Sequence, residues 1–231
     1  MAYFIVIFNV CVTVFAAGMD TGEENTSPIF CTGLYLPAAY YEDDLSLPSM
    51  ARYEDATISN RAALIRVTVQ SPLEKSWRNS YSDYYYQANE VIETADNYLA
   101  DKLDIDLYTI SQPSWDVGSV ALPSVAMNVL KRDIGKCNAD IMIAFAGSIF
   151  DSSTSAGFGM TSALNEPYCI VFDHGYNQNC KSAQHEVGHA YGLDHCYNTC
   201  VMKQGWDREW NLFGHLCTTH YNKWSSAKNK Y

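Results

Sequence analysis

His185-Glu186-Val187-Gly188-His189-Ala190-Tyr191-Gly192-Leu193-Asp194-His195 is the stretch that decides how this chain is read. Two histidines at i and i+4 fall on one helix face about one turn apart, so both imidazoles can reach a single metal ion. Glu186 stands about 100° further round, too far for a third equivalent ligand but within reach of water on the ion's open side. Gly192 lets the backbone leave the helix with a positive φ, and His195 can then return to the same ion from the turn. Three neutral imidazoles leave a fourth position for water, the pattern of a catalytic zinc rather than a structural one. Composition places the start of this helix near Lys181-Ser182 and its end at Gly192.

Working outward, the upstream pattern supplies a frame for that helix. Ala63, Ile65, Val67 and Val69 alternate as a strand that ends at Ser71-Pro72. Apolar residues at Tyr81, Tyr84, Tyr85, Ala88, Val91, Ile92, Ala95, Tyr98 and Leu99 predict an amphipathic helix from Tyr81 to about Lys102. Ile105 to Ile110 reads as a second strand closed by Pro113, and Pro123 opens a helix to about Ile134 with Gly135 at its end. Ile141 to Ala146 is a continuous apolar run, as expected of a strand buried on both faces, and Tyr168 to Phe172 is a further short strand. Gly157 to Thr161 reads equally as an edge strand able to pair with an extended peptide or as a flexible loop. The expected fold class is α/β (α+β): a sandwich with a mixed sheet, long helices and a small C-terminal subdomain after the histidine-bearing helix.

With 231 residues, 48% apolar and 18% charged, the chain can bury a substantial core. A net charge of −11, from 26 acidic and 15 basic residues, excludes nucleic acid as a partner and argues against electrostatic binding to a membrane surface. Residues 1–18 carry no charged side chain; Phe4 to Phe15 is apolar apart from Asn9 and Thr13, and Ala16-Ala17-Gly18 follows. This predicts a signal peptide over 1–18, the alternative being a buried N-terminal strand. No later apolar run approaches the roughly 18 residues of a membrane span, so no membrane anchor is expected. Residues 19–60 are acidic and tyrosine-rich, with Pro28, Pro37 and Pro48 and the glycosylation sequon Asn25-Thr26-Ser27. They read as a pro-segment or N-terminal extension, leaving 61–231 as one catalytic domain of a secreted monomer.

On the eleven-residue pattern and the downstream Cys200-Val201-Met202, the chain resembles the metzincin clan of zinc peptidases, whose motif is H-E-x-x-H-x-x-G-x-x-H followed by a methionine turn. The resemblance covers roughly residues 61–224. It implies a metzincin-like domain in which His185, His189 and His195 hold one catalytic Zn2+, Glu186 is the general base and Met202 lies beneath the ion. The implied reaction on a protein or peptide substrate is peptide-bond hydrolysis, with water acidified by zinc and Glu186 carrying its proton to the leaving amine. Cys196, Cys200-Val201-Met202 and Cys217-x-x-His220 resemble the archaemetzincin variant, in which four cysteines hold a second zinc. Here the first spacing is one residue short and His220 stands for the last cysteine. An aminopeptidase-type metzincin and a secreted protein that holds zinc without turnover are the alternatives; Glu186 favours an enzyme.

Loss of the leader removes Cys11 and leaves Cys31, Cys137, Cys169, Cys180, Cys196, Cys200 and Cys217. An oxidising compartment then predicts three bridges and one unpaired thiol. Cys169–Cys180, Cys196–Cys200 and Cys137–Cys217 is the pairing expected here, one of 15 connectivities for six cysteines, in preference to a second zinc on Cys196, Cys200, Cys217 and His220. Cys31 is either a thiol that holds a zymogen latent by occupying the zinc or a plain bridge to the catalytic domain. His174 and His215 read as ordinary polar residues rather than ligands.

Overall fold

The computed structural model of the chain describes residues 64–118, 122–147, 159–203 and 215–231. The expected leader over 1–18, the segment over 19–60 with its sequon and Cys31, and Gly157-Phe158 lie outside those residues.

Two prolines shape the sheet. Pro72 and Pro113 have no N–H to give to a ladder, so each of the first two strand runs is divided, into β1 (Ile65–Gln70) and β2 (Leu73–Glu74), and into β3 (Ile105–Ser111) and β4 (Ser114–Trp115). Pairing carries on across the breaks: the Ser71 N–H donates to Ser111 O at 2.8 Å and the Leu73 N–H to Pro113 O at 2.8 Å. β1 and β2 pair in parallel with β3 and β4 on one side and with β5 (Ile141–Ala146) on the other. β7 (Tyr168–Phe172) lies parallel to β5, and β6 (Gly159–Thr161) is an antiparallel strand beside β7. The expected mixed sheet is therefore parallel throughout except for β6.

β5 shows why an unbroken apolar run was needed. Ile141, Ile143 and Phe145 pack into a core under α2 (Tyr84–Leu103) and α4 (Tyr176–Ala190), with Val67, Val69, Leu99, Leu103, Ala183 and Val187. Met142, Ala144 and Ala146 face the opposite way, against Ala126, Met127 and Leu130 of α3 (Pro123–Asp133). Alternation along a strand buried on both faces thus feeds two cores.

The helix expected from Tyr81 begins at Tyr84, because a short α1 (Lys75–Ser80) precedes it and Tyr81 caps α1. Tyr81 still packs inward: its ring lies 4.7 Å from that of Trp77, and its hydroxyl donates to Asp173 at 2.8 Å. Neither α1 nor α5 (Thr218–Ala227) was anticipated. α2 ends at Asp104 with φ 58°, a left-handed cap that a short polar residue tolerates, held by Lys228 Nζ at 2.8 Å. Among the described residues no helix is long and apolar enough to cross a membrane.

Asp96 on α2 is only 5% exposed, and its Oδ2 accepts the Leu107 N–H of β3 at 2.7 Å. Burial pushes its carboxyl up to about 8, the Leu107 N–H opposing and the negative charges of Glu93 and Asp106 adding to the rise. The folded chain thus holds this proton more tightly than the unfolded one does. Its contribution to stability is complete below pH ~4 and is lost as pH rises through about 8. Asp96→Asn, which stays neutral, should therefore melt higher than wild type above pH ~8, with the difference closing toward pH ~4 in circular-dichroism melts. A difference independent of pH would contradict this account.

Candidate metal centre

The histidine-bearing helix is set by the turn that precedes it. Gly175 takes φ 85°, and the Asp173 carboxylate accepts the Gly175 N–H at 3.1 Å and the Asn179 Nδ2–H at 3.0 Å. Asn179 Oδ1 in turn accepts the His174 N–H at 2.9 Å. This network starts α4 at Tyr176, ahead of the Lys181 expected from composition, and the helix is buried from Gln178 to Ala190.

At its far end the three histidines converge. His189 Nε2 lies 3.0 Å from His185 Nε2 and 3.1 Å from His195 Nε2. The opposite nitrogens are engaged by the backbone, His185 Nδ1 with Val201 O and His189 Nδ1 with Leu193 O, each at 2.7 Å. A carbonyl can only accept, so in the neutral rings both Nδ1 atoms carry the proton and both Nε2 atoms present lone pairs. Lone pairs facing each other at this distance repel unless a cation lies among them. A tetrahedral centre with Zn–N of about 2.0–2.1 Å requires nitrogens roughly 3.3 Å apart, close to the spacing seen, so the donor set fits zinc. His195 is exposed while His185 and His189 are buried, so the cluster opens on the His195 side.

Gly192 is required twice. Its φ is 85°, and a Cβ there would fall 2.3 Å from Asn165 Oδ1, while the Asn165 N–H donates to His189 O at 3.0 Å. The last helical carbonyl, Ala190 O, accepts from Lys230 Nζ at 2.5 Å and from the Tyr231 hydroxyl at 3.0 Å. A lysine ammonium at a helix C-terminus also suits the helix dipole. These two capping residues had no signature in the sequence beyond a basic residue far downstream.

Met202 is fully buried against Gly188, where a Cβ would approach its Sδ to 2.5 Å. The methionine therefore lies on the helix backbone between His185 and His189, and its neighbour Val201 carries the carbonyl that holds His185. Glu186, 3% exposed, turns toward β6, where the Thr161 hydroxyl donates to Oε2 at 2.7 Å. β6 thus resolves the choice left open for this stretch: 159–161 is a strand. Thr161 was not singled out in the sequence.

The cysteines depart from the expected bridges. Cys169, Cys180, Cys196, Cys200 and Cys217 are all free, so Cys169–Cys180, Cys196–Cys200 and Cys137–Cys217 are not formed; Cys137 is disulfide-bonded, but not to Cys217. The fold itself supplies the reason. Cys196, held by its N–H to Met202 O at 3.0 Å, meets Cys200, Cys217 and His220 so that their four ligand atoms lie within 4.8 Å of one another. His220 Nδ1 is 3.1 Å from Cys217 Sγ and 3.6 Å from Cys200 Sγ, and the Cys217 N–H donates to Cys200 Sγ at 3.5 Å. A Cys3His set at this spacing is suited to a closed tetrahedral site. Burial, aided by neighbouring Cys196, pushes the Cys200 thiol up to about 12, so a thiolate there calls for a cation. Cys169 is buried beside Glu186; burial first and then that carboxylate drive its thiol far above the ordinary range. His174 and His215 join neither cluster among the described residues.

Fold and geometry together present two candidate metal-binding clusters, one of three histidines and one of Cys3His, on an α/β frame. Residues 176–223, which carry both ligand sets, match the family model described as peptidase family M54. Metalloproteinase-II from Bacteroides fragilis shares the fold, with a TM-score of 0.52 at 18% identity over 73% of this chain and 55% of that one. An archaemetzincin from Methanopyrus kandleri is similar at a TM-score of 0.48 and 15% identity, over 74% of this chain and 99% of that one. A chain in a structure of a chaperone–substrate complex is also similar, at a TM-score of 0.48 and 16% identity over 60% of this chain; the present chain spans 25% of its length. No curated protein matches the sequence significantly.

Gly192→Ala should cost about 1–3 kcal/mol through its forced positive φ and loosen His195. Zinc affinity should drop by roughly tenfold or more, read by competition with a chromophoric chelator; unchanged affinity would show that the turn does not govern the third histidine.

Proposed function

We propose that this chain is a secreted metallopeptidase that cleaves peptide bonds, with His185, His189 and His195 holding the catalytic zinc. The observation that carries the reading is the convergence of three Nε2 atoms, those of His185 and His195 lying 3.0 Å and 3.1 Å from that of His189, with two of the rings engaged by backbone carbonyls. When bound, zinc supplies an electrophile that polarises the scissile carbonyl and lowers the pKa of water toward about 7. Glu186, adjacent to His185 and with its Oε2 accepting the Thr161 hydroxyl of β6, takes the proton of the attacking water and delivers it to the leaving amine. Among the described residues β6 pairs only with β7, so an extended peptide can add along its outer edge by backbone hydrogen bonds. That geometry suits an endopeptidase, which grips its substrate on both sides of the cut. Secretion rests on the apolar leader over 1–18.

Cys196, Cys200, Cys217 and His220 hold a second, structural zinc in this reading. Thiolates bound to a metal are protected from oxidation, which reconciles free cysteines with an extracellular setting.

The test is hydrolysis of a quenched fluorogenic peptide library with metal analysis on the same samples. Wild type should cleave, lose activity in a zinc chelator and contain two zinc ions per chain. Glu186→Ala should keep both ions while turnover falls by about 10²–10⁴-fold or more. Full turnover in that variant would remove Glu186 from the mechanism, and chelator-resistant cleavage would remove zinc.

A further inference from the structure

We infer that β6 is the element that positions Glu186, through the hydroxyl of Thr161 on one carboxylate oxygen and the missing side chain of Gly159 beside the other. The inference rests on Glu186 being the general base.

Side chains at i and i+2 of a strand share a face, and on β6 that face is turned to α4. Thr161 Oγ1 lies 2.7 Å from Glu186 Oε2, 3.0 Å from Glu186 O and 3.8 Å from Cys169 Sγ. A hydroxyl has one proton to give, and the charged oxygen at the shortest distance outcompetes a neutral carbonyl and a neutral thiol. Two residues back, a Cβ on Gly159 would stand 2.8 Å from Glu186 Oε1 and 2.9 Å from its Cγ. Any side chain at that position would push the carboxylate out of its place. Met160, between them, faces the other way and packs against the core under α3. One strand therefore donates to one carboxylate oxygen and leaves room for the other, which fixes both the rotation and the depth of the carboxylate.

β6 is also the strand along which the substrate is proposed to lie. Base and substrate then take their positions from the same three residues, so the carboxylate is in register with the peptide it serves. Thr161 is a positioning residue that acts through Glu186. Its loss should lower turnover without weakening substrate binding.

The test compares Thr161→Val, Thr161→Ser and Gly159→Ala in the zinc-loaded full chain, with zinc content measured for each. Thr161→Val, nearly isosteric, should lower kcat by about tenfold or more and leave KM within about twofold. Thr161→Ser should restore most of the loss, and Gly159→Ala should reproduce it at full zinc occupancy. Full kcat in Thr161→Val, or a change confined to KM, would overturn the inference. A melting cycle decides the same question without turnover: Thr161→Val should lower Tm by roughly 3–6 °C in wild type and by clearly less in a Glu186→Ala background. Equal shifts in both backgrounds would overturn it. Should wild type cleave no peptide, the proposed function fails, while the melting cycle still confirms or refutes the contact between Thr161 and the Glu186 carboxylate.

Discussion

Two backbone carbonyls, Val201 O and Leu193 O, each 2.7 Å from a histidine Nδ1, are the constraint on which the rest of this structure depends. They hold the protons of His185 and His189 on the far side of the rings, which leaves the lone pairs of both Nε2 atoms aimed at one point. For those carbonyls to be in place, the helix must end at Ala190, the chain must turn at Gly192, and the methionine turn must return beneath the helix. Each condition has its own support. Gly188 leaves room for Met202, Asn165 occupies the space a side chain on Gly192 would need, and Lys230 with Tyr231 closes the last carbonyl. At the other end, Asp173 and Asn179 fix where the helix begins.

The same demand explains the placement of the second cluster. The segment from His195 to Met202 is too short to bury a core of its own, yet it must hold both His195 and Val201 still. Cys196 and Cys200 lie within that segment, while Cys217 and His220 come from the start of α5. A metal shared among these four would tie the turn to α5, which packs through Trp224 into the main core. Ligand bonds can then add to the rigidity that burial of Val201 and Met202 already gives this short segment.

Much of this was legible in the sequence because the decisive signals are local. His185, Glu186, His189, Gly192 and His195 sit within eleven residues, where helix geometry places the first three and a glycine turn returns the last. β5 and β7 were bounded by the extent of their apolar runs. The failures are of a different kind. The start of α4 moved to Tyr176 because a carboxylate–amide network of Asp173 and Asn179 braces the turn before it, and such networks leave no hydrophobic period. α1 and α5 were missed because one is too short for a period and the other is rich in Thr, Asn and Ser. The expected disulfides came from counting cysteines in an oxidising compartment, which says nothing of where four ligand atoms meet in space. Thr161 was silent for the same reason: its partner is 25 residues away, across a strand and a helix.

The central claim is that the three imidazoles and the Cys3His set each hold zinc. Anomalous diffraction at the zinc edge, on crystals of the chain grown with zinc, tests it most directly. The account predicts two peaks, one about 2.0–2.1 Å from the Nε2 atoms of His185, His189 and His195, the other about 2.3 Å from the sulfurs of Cys196, Cys200 and Cys217. No peak at the histidines, or a Cys196–Cys200 bridge where the second should be, would contradict it.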